Sequence, residues 1–250
     1  MDQPFAGKVA LVTGAGSGIG EAVAMELAEG GARLLVSDLK AEAAERAAAA
    51  IRAAGGQALA HQADVTDPAA VQAMVALAES HFGALHLAVN NAGIAGARVN
   101  TADYPLDSWQ RIIDVNLTSV FHCTKYQVAA MLRAGGGAIV NMSSILGSVG
   151  TPGAVAYVAA KHGVVGLTKA VALEYAGQGV RVNAVGPGYI DTPLLSRFDR
   201  ETHDGLKTLH PAGRLGTARE VSALTCFLLS DRAAFITGSY HLVDGGYTAR

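Results

Sequence analysis

The sequence predicts an α/β fold: one doubly wound parallel sheet of about seven strands, flanked by helices. Short, continuous apolar runs alternate with longer helical patterns along the whole chain. Such runs are typical of strands buried on both faces, as in parallel sheets. A glycine-rich turn follows the first run, and polar residues follow the ends of several others. Ligands bind outside the carboxyl ends of such strands, so we expect one site at that edge.

Composition narrows the class of protein. The chain has 250 residues, 50% of them apolar and 16% charged, which suits a single domain spanning residues 1–250. The net charge of −2, without a basic tract, argues against nucleic-acid binding. No stretch has the apolar length of a membrane helix or the pattern of a signal peptide. Cys123 and Cys226 lack metal or redox spacing. We therefore expect a cytoplasmic protein without a metal, nucleic-acid or membrane partner.

The first strand, at residues 8–13, leads into a turn that contains Gly14, Gly16, Gly18 and Gly20. A helical pattern follows at residues 21–31. Glycines let a backbone approach a pyrophosphate closely, and the free N–H groups at a helix start bind anions. This order of strand, turn and helix favours a dinucleotide site over a plain tight turn.

Asp38 ends the second strand, at residues 33–37, and lies eighteen residues after Gly20. A carboxylate there can accept hydrogen bonds from the adenosine ribose and repels a 2′-phosphate. The position therefore indicates NAD, with NADP less favoured. An N-cap role for the helix at residues 41–54 is the structural alternative, and nearby Lys40 keeps NADP open.

The remaining elements continue the alternation. Helices are predicted at residues 68–82, 108–132, 157–176 and 220–229, and strands at residues 58–63, 84–89, 138–142, 180–185 and 240–243. Asn116 falls within the apolar stripe of the helix at residues 108–132. Its buried amide must therefore either hydrogen-bond to an unpaired backbone group or belong to a functional site. Residues 189–216 mix apolar and charged side chains irregularly, which indicates a substrate lid.

Tyr157 and Lys161 are four residues apart in a helical run and so lie on one face. A nearby cation favours the phenolate and lowers a tyrosine pKa, which is ordinarily about 10. The pair is a candidate for proton transfer, although chance spacing in a structural helix gives the same pattern. The strand at residues 138–142 delivers Ser143 and Ser144 to the same sheet edge.

Taken in order, these motifs resemble the short-chain dehydrogenase/reductase family, in its compact single-domain branch with a Rossmann fold. The resemblance covers the chain from Lys8 to about Gly246. It rests on TGAGSGIG at residues 13–20, Asp64-Val65, NNAG at residues 90–93, Asn116, Ser144, Tyr157-x-x-x-Lys161, Pro187-Gly188 and Thr192. Ser144 lies thirteen residues before Tyr157, which selects it over Ser143.

The resemblance implies a role for each matched position. The implied catalytic residues are Tyr157 as general acid/base, Lys161 to lower its pKa and hold the nicotinamide ribose, Ser144 to bind the substrate oxygen and Asn116 in a proton relay. Besides Tyr157 and Lys161, the expected cofactor-binding residues are Gly14, Gly16, Ser17, Gly18, Ile19, Gly20, Asp38, Leu39, Asp64, Val65, Asn90, Ala92, Gly93, Pro187, Gly188, Ile190 and Thr192. The expected substrate pocket comprises Ile94, Ser144, Leu146, Tyr157, Tyr189, Leu194, Leu195 and Phe198.

The implied function is NAD-dependent hydride transfer between a secondary alcohol and a ketone. The apolar pocket favours a medium-sized ketone. Arg98, His203 and His210 are candidates to meet a polar substrate, but an ordinary surface position is the favoured interpretation for them. One alternative is a 3-oxoacyl-[acyl-carrier-protein] reductase, although it normally uses NADPH. A non-catalytic dinucleotide sensor is the alternative from another class. Homotetramers are usual in this family, and the apolar helix at residues 157–176 agrees with an interface.

Overall fold

A computed structural model describes residues 3–193, 195 and 199–249. Its main sheet has seven parallel strands, which confirms the predicted fold class. The strands are β1 Val9–Thr13, β2 Arg33–Asp38, β3 Gln57–Gln62, β4 Leu87–Asn90, β5 Gly137–Met142, β6 Val180–Pro187, β7 Ile190–Asp191, β8 Gly216–Thr217 and β9 Tyr240–Val243. Their order in the main sheet is β3-β2-β1-β4-β5-β6-β9. The short strands β7 and β8 pair separately.

Helices cover both faces of this sheet. They are α1 Gly18–Glu29, α2 Ala41–Ala53, α3 Pro68–Phe82, α4 Leu106–Ile113, α5 Ser119–Arg133, α6 Val155–Tyr175, α7 Arg200–Thr208 and α8 Ala218–Leu229. Side chains alternate along a strand, so β1 sends Val12 into one core layer and Leu11 into the other. The first layer packs against α1, α2 and α8, and the second against α3 and α5. No described helix has the length and apolar character needed to cross a membrane.

Local sequence explains several helix ends. The Asp67 side chain accepts a hydrogen bond from the Ala69 N–H at 2.8 Å, and Pro68 occupies the first helical turn of α3. Gly83 ends that helix in the left-handed region, at a φ of 91°. At the start of α8, Thr217 and Glu220 form a reciprocal capping box.

Two expectations about local structure need correction. The single helix predicted at residues 108–132 is divided by a π-helical turn, Asp114–Thr118, into α4 and α5. π-helical turns occur frequently at functional sites. The region at residues 189–216 is also more regular than predicted, because it contains β7, α7 and β8. Its own small core is formed by Leu195, Leu206 and Leu215.

Candidate active site

A cleft of about 720 Å³ opens at the carboxyl ends of the central strands, where β1 and β4 adjoin. This is the place where the strand order reverses and where such sheets bind ligands. Most of the predicted site residues line it. They are Gly14, Ser17, Gly18, Ile19, Asp38, Ala92, Gly93, Ile94, Ser144, Leu146, Tyr157, Lys161, Pro187, Gly188, Tyr189, Ile190, Thr192 and Leu195.

The glycine turn forms one end of this cleft. Gly14 has a φ of 60°, and a Cβ there would lie 2.9 Å from the Ala92 Cα. A Cβ at Gly20 would collide with the Gly14 carbonyl oxygen, so the helix start packs directly onto the turn. Ser17 precedes α1 but makes no side-chain capping hydrogen bond, so it does not cover the first-turn N–H groups. This end of the cleft fits a pyrophosphate.

The carboxylate of Asp38 is fixed beside the glycine turn. One oxygen accepts a hydrogen bond from the Gly16 N–H at 3.0 Å, and the other accepts one from the Lys40 N–H at 3.0 Å. Arg46 donates to the Gly16 carbonyl at 2.6 Å. Asp38 therefore faces the cleft in a set orientation and retains lone pairs for ribose hydroxyls.

Three further residues expected to bind the cofactor, Leu39, Asp64 and Val65, follow β2 and β3 and lie outside the cleft lining. One Asp64 oxygen accepts hydrogen bonds from the Thr66 N–H at 2.9 Å and from its hydroxyl at 2.7 Å. Leu39 is 61% exposed, whereas Val65 is buried. Of the two apolar residues, only Leu39 therefore offers its side chain to a ligand at the surface.

The expectation for Asn90 requires a correction. Its side chain is 2% exposed and donates to the Gln127 and Asn141 oxygens at 3.0 and 2.8 Å, away from the cleft. Asn91 instead lines the cleft and donates to the carbonyls of Thr13 and Gly14 at 3.1 Å. The Asn90 amide thus stabilises the sheet, and Asn91 holds the glycine turn.

Asn116 lies in the π-helical turn and is completely buried. Its amide oxygen accepts from the Ile94 N–H, and its amide nitrogen donates to the Ile94 carbonyl, both at 2.8 Å. A Cβ at Gly93 would lie 3.2 Å from the Asn116 oxygen and 3.9 Å from the Lys161 Nζ. Asn116 therefore fixes the segment that separates it from Lys161, and its side chain does not line the cleft.

Ser144, Tyr157 and Lys161 meet at the other end of the cleft. The Tyr157 phenol lies near the Ser144 side chain, whose hydroxyl oxygen accepts from the Leu146 N–H at 3.2 Å. The Lys161 Nζ lies 5.5 Å from the centre of the Tyr157 ring and donates to the Met142 carbonyl at 2.8 Å. Ser143 donates to the Lys161 carbonyl at 2.9 Å, so it holds α6 rather than facing a substrate.

The expected lowering of the Tyr157 pKa is not found in the protein alone. Burial raises the pKa of Tyr157 to about 12, because the hydrogen bond from Ser144 offsets only part of that effect. Burial also lowers the pKa of Lys161 to about 8, because the ammonium loses hydration. At neutral pH the phenol therefore carries its proton and is ready to act as an acid.

Residues from the region predicted to be a lid line one side of the cleft. Tyr189, Ile190, Thr192 and Leu195 line it as predicted, whereas Leu194 and Phe198 lie outside the described residues. His210 is buried and accepts a hydrogen bond from the Tyr189 N–H at 3.2 Å. His210 therefore fixes the Tyr189 backbone and does not line the cleft, so the structure shows it neither at the surface nor facing a substrate.

Several lining residues were missed from the sequence. These are Asn91, Ala95, Gly96, Ala97, Met142, Ser143, Ile145, Ala154 and Pro193 as side-chain or backbone contributors. Ala154 belongs to the loop before α6, and Ala95 to Ala97 follow the NNAG motif. The small apolar side chains of these alanines belong to no chemical motif, so their place in the cleft could be found only from the three-dimensional structure.

Comparison with known proteins shows which family the chain is similar to. A family model described as Enoyl-(Acyl carrier protein) reductase, which represents short-chain dehydrogenases and reductases, matches residues 14–248. The chain is 52% identical over 250 residues to cyclohexanol dehydrogenase of Acinetobacter sp. (strain SE19), covering 100% of this chain and 98% of that protein. It is 46% identical to cis-4-hydroxycyclohexanecarboxylate dehydrogenase of Sinomonas cyclohexanicum, with 100% of both chains covered.

A solved structure extends the similarity to the backbone. The crystal structure of a short-chain type dehydrogenase/reductase from Mycobacterium marinum superposes with a TM-score of 0.95 at 38% identity, covering 98% of this chain and 97% of that one. Sequence and backbone thus agree with those of family members over nearly the whole chain. The chain therefore belongs to the short-chain dehydrogenase/reductase family and is an oxidoreductase that interconverts alcohol and ketone groups.

Proposed function

We propose that the enzyme catalyses NAD-dependent interconversion of a cyclic secondary alcohol and its ketone, with Tyr157 as the general acid/base. The observation that carries the proposal is that Tyr157, Ser144 and Lys161 line the same cleft as the glycine turn and Asp38. One end of the cleft thus suits a proton donor, and the other a dinucleotide.

In ketone reduction Tyr157 donates its proton to the carbonyl oxygen, and Ser144 donates a hydrogen bond to the same oxygen. The Lys161 ammonium, 5.5 Å from the Tyr157 ring, stabilises the phenolate that results. In alcohol oxidation the phenolate accepts the hydroxyl proton. Positioned proton transfer is typically worth about 10²- to 10⁴-fold in rate. When bound, the nicotinamide supplies or accepts the hydride, and its oxidised ring adds the positive charge that favours a phenolate.

The preference for NAD rests on Asp38. Its carboxylate faces the cleft and offers acceptors to the 2′- and 3′-hydroxyls of the adenosine ribose, whereas a 2′-phosphate would meet its negative charge. Arg46, the neighbouring cation, already donates to the Gly16 carbonyl. The first turn of α1 would hold the pyrophosphate, and Lys161 and Thr192 the nicotinamide half.

A cyclic alcohol fits the chemistry of the substrate end. Ile94, Leu146 and Leu195 give the cleft apolar walls there. Arg98 lines the same cleft, and no carboxylate of the described residues pairs with its guanidinium. A ring that bears a carboxylate therefore has a candidate partner, as in the second relative, whereas the first relative's substrate is neutral.

A 3-oxoacyl-[acyl-carrier-protein] reductase is the second candidate within the family. The same Tyr157 chemistry would reduce a 3-oxoacyl thioester, and Arg98 favours an anionic partner. The net charge of −2 and the position of Asp38 argue against an acidic carrier protein and NADPH. A non-catalytic dinucleotide sensor, in contrast, has no need for the intact Ser144, Tyr157 and Lys161 set.

The proposal includes a cytoplasmic homotetramer. Large apolar side chains are exposed on α4, α5 and α6, among them Leu106 at 85% and Leu173 at 87%. Phe235, near β9, is fully exposed and marks another candidate interface. Two different interfaces per subunit are what a tetramer with dihedral symmetry requires. Light scattering coupled to size exclusion would give four times 25.5 kDa for this assembly.

One steady-state screen tests the function. Wild-type enzyme is assayed with cyclohexanol, cis-4-hydroxycyclohexanecarboxylate and linear secondary alcohols, each with NAD and NADP, and with a 3-oxoacyl thioester and both reduced cofactors. The proposal expects the highest kcat/KM for a cyclic alcohol with NAD. The highest value for the thioester with NADPH would establish the second candidate, and cofactor binding without any turnover would contradict both.

A further inference from the structure

Tyr240, on the edge strand β9, contacts the segment that carries Ser144. Its hydroxyl donates a hydrogen bond to the main-chain carbonyl of Ser144. Tyr240 is not among the residues that line the cleft. Its contact with Ser144 therefore lies outside the substrate and cofactor surfaces described above.

The neighbouring strand is shaped around this tyrosine. Gly186, on β6, would bring a Cβ to 2.6 Å from the Tyr240 Cε2 and Cζ, so the ring occupies the space that a side chain would need. Ala184 is the paired residue of Tyr240 in the β6–β9 register. The ring is thereby fixed by the sheet, and its hydroxyl reaches the segment after β5 in a defined position.

The segment after β5 leaves the sheet at Ser144. Ser143 is tied to α6 through the Lys161 carbonyl, and Ile145–Gly147 forms a short 3₁₀ turn that Ser144 caps. The Ser144 peptide carbonyl accepts one hydrogen bond within that turn, from the Gly147 N–H at 2.8 Å, and Tyr240 supplies a second donor from outside the turn. The orientation of that peptide determines where the Ser144 hydroxyl meets Tyr157.

We propose that Tyr240 is a positioning residue that orients the Ser144 main chain, and through it the Ser144 hydroxyl, for proton transfer with Tyr157. This inference rests on the proposed function, because Ser144 must bind the reacting oxygen. A misplacement of about 1 Å in a catalytic group can cost roughly 10²-fold in rate. Loss of one hydrogen bond with the ring retained should act less strongly, at roughly 10-fold.

Tyr240→Phe tests the proposal, since it removes the hydroxyl but keeps the ring against Gly186. Tyr175→Phe is the matched control, because Tyr175 packs in the second core layer away from the cleft. We expect Tyr240→Phe to lower kcat roughly 10-fold, with NADH affinity and Tm close to wild type. Tyr175→Phe should leave kcat within about twofold.

A double-mutant cycle with Ser144→Ala separates positioning from general structural loss. If Tyr240 acts through Ser144, then Tyr240→Phe should change kcat less than twofold in the Ser144→Ala background. An equal loss in both backgrounds, or an unchanged kcat in the single variant, would overturn the inference while the wild type stays active. A wild type that turns over no alcohol or ketone would overturn the proposed function, and this inference with it.

Discussion

Replacing Asp38 with asparagine should convert a preference for NAD into a tolerance of NADP. The two carboxylate oxygens accept from the Gly16 and Lys40 N–H groups, each at 3.0 Å, and a carboxamide can retain one of these bonds. A hydrogen bond from a ribose hydroxyl to a charged acceptor contributes about 1.5–3 kcal/mol. Repulsion of a 2′-phosphate at about 5 Å amounts to about 1–3 kcal/mol, depending on how far water screens it.

The two contributions together predict a change of roughly 10²- to 10⁴-fold in the ratio of kcat/KM for NAD to that for NADP. The assay compares both cofactors at one ionic strength for wild type, Asp38→Asn and the control Asp103→Asn, an exposed acid outside the cleft. We expect the control to keep the wild-type ratio. An unchanged ratio in Asp38→Asn would refute the assignment of Asp38 to the ribose.

Three further predictions concern pH, stability and substrate. Burial holds the Lys161 pKa at about 8 and the Tyr157 pKa at about 12, so ketone reduction should fall as the pH rises past about 8 and the ammonium loses its proton. Lys161→Met should give a slow rate with no such fall. Asn90→Leu leaves the buried Gln127 and Asn141 amide oxygens without their hydrogen-bond donor. The loss should lower the free energy of unfolding by about 2–4 kcal/mol and the Tm by roughly 5–15 °C, while NADH affinity changes less than threefold. A larger loss of NADH affinity would show that Asn90 contributes to cofactor binding after all. Arg98→Gln should raise the KM for cis-4-hydroxycyclohexanecarboxylate about tenfold, the equivalent of about 1.4 kcal/mol, and leave that for cyclohexanol unchanged. Equal effects on both substrates would remove Arg98 from substrate recognition.

The fold could be predicted from the sequence because short sequence patterns determine most of its strands and helices. Apolar runs such as residues 8–13 indicate buried parallel strands, and the start of α3 is marked by Asp67 and Pro68. The π-helical turn was not predicted. It carries Asn116, which pairs with the backbone of Ile94, 22 residues away in the chain. Sequence periodicity gives no information about contacts between residues that are distant in the chain.

The site shows the same division between local and distant causes. Residue type and spacing suffice to bring Ser144, Tyr157 and Lys161 together, because strand ends and helix faces are regular. They do not decide which of Asn90 and Asn91 faces the cleft, since both follow β4 and only the packing of Gln127 and Asn141 separates them. The pKa of Tyr157 likewise depends on its burial, which spacing alone does not reveal.

The central claim is that Tyr157 transfers the proton in a cleft that binds NAD independently of it. The most direct measurement compares wild type with Tyr157→Phe for turnover of a cyclic alcohol and for NADH binding by fluorescence titration. We expect turnover to fall by about 10²- to 10⁴-fold or more, with the NADH Kd within about threefold of wild type. A Tyr157→Phe enzyme with wild-type turnover would contradict the account, whatever its affinity for NADH.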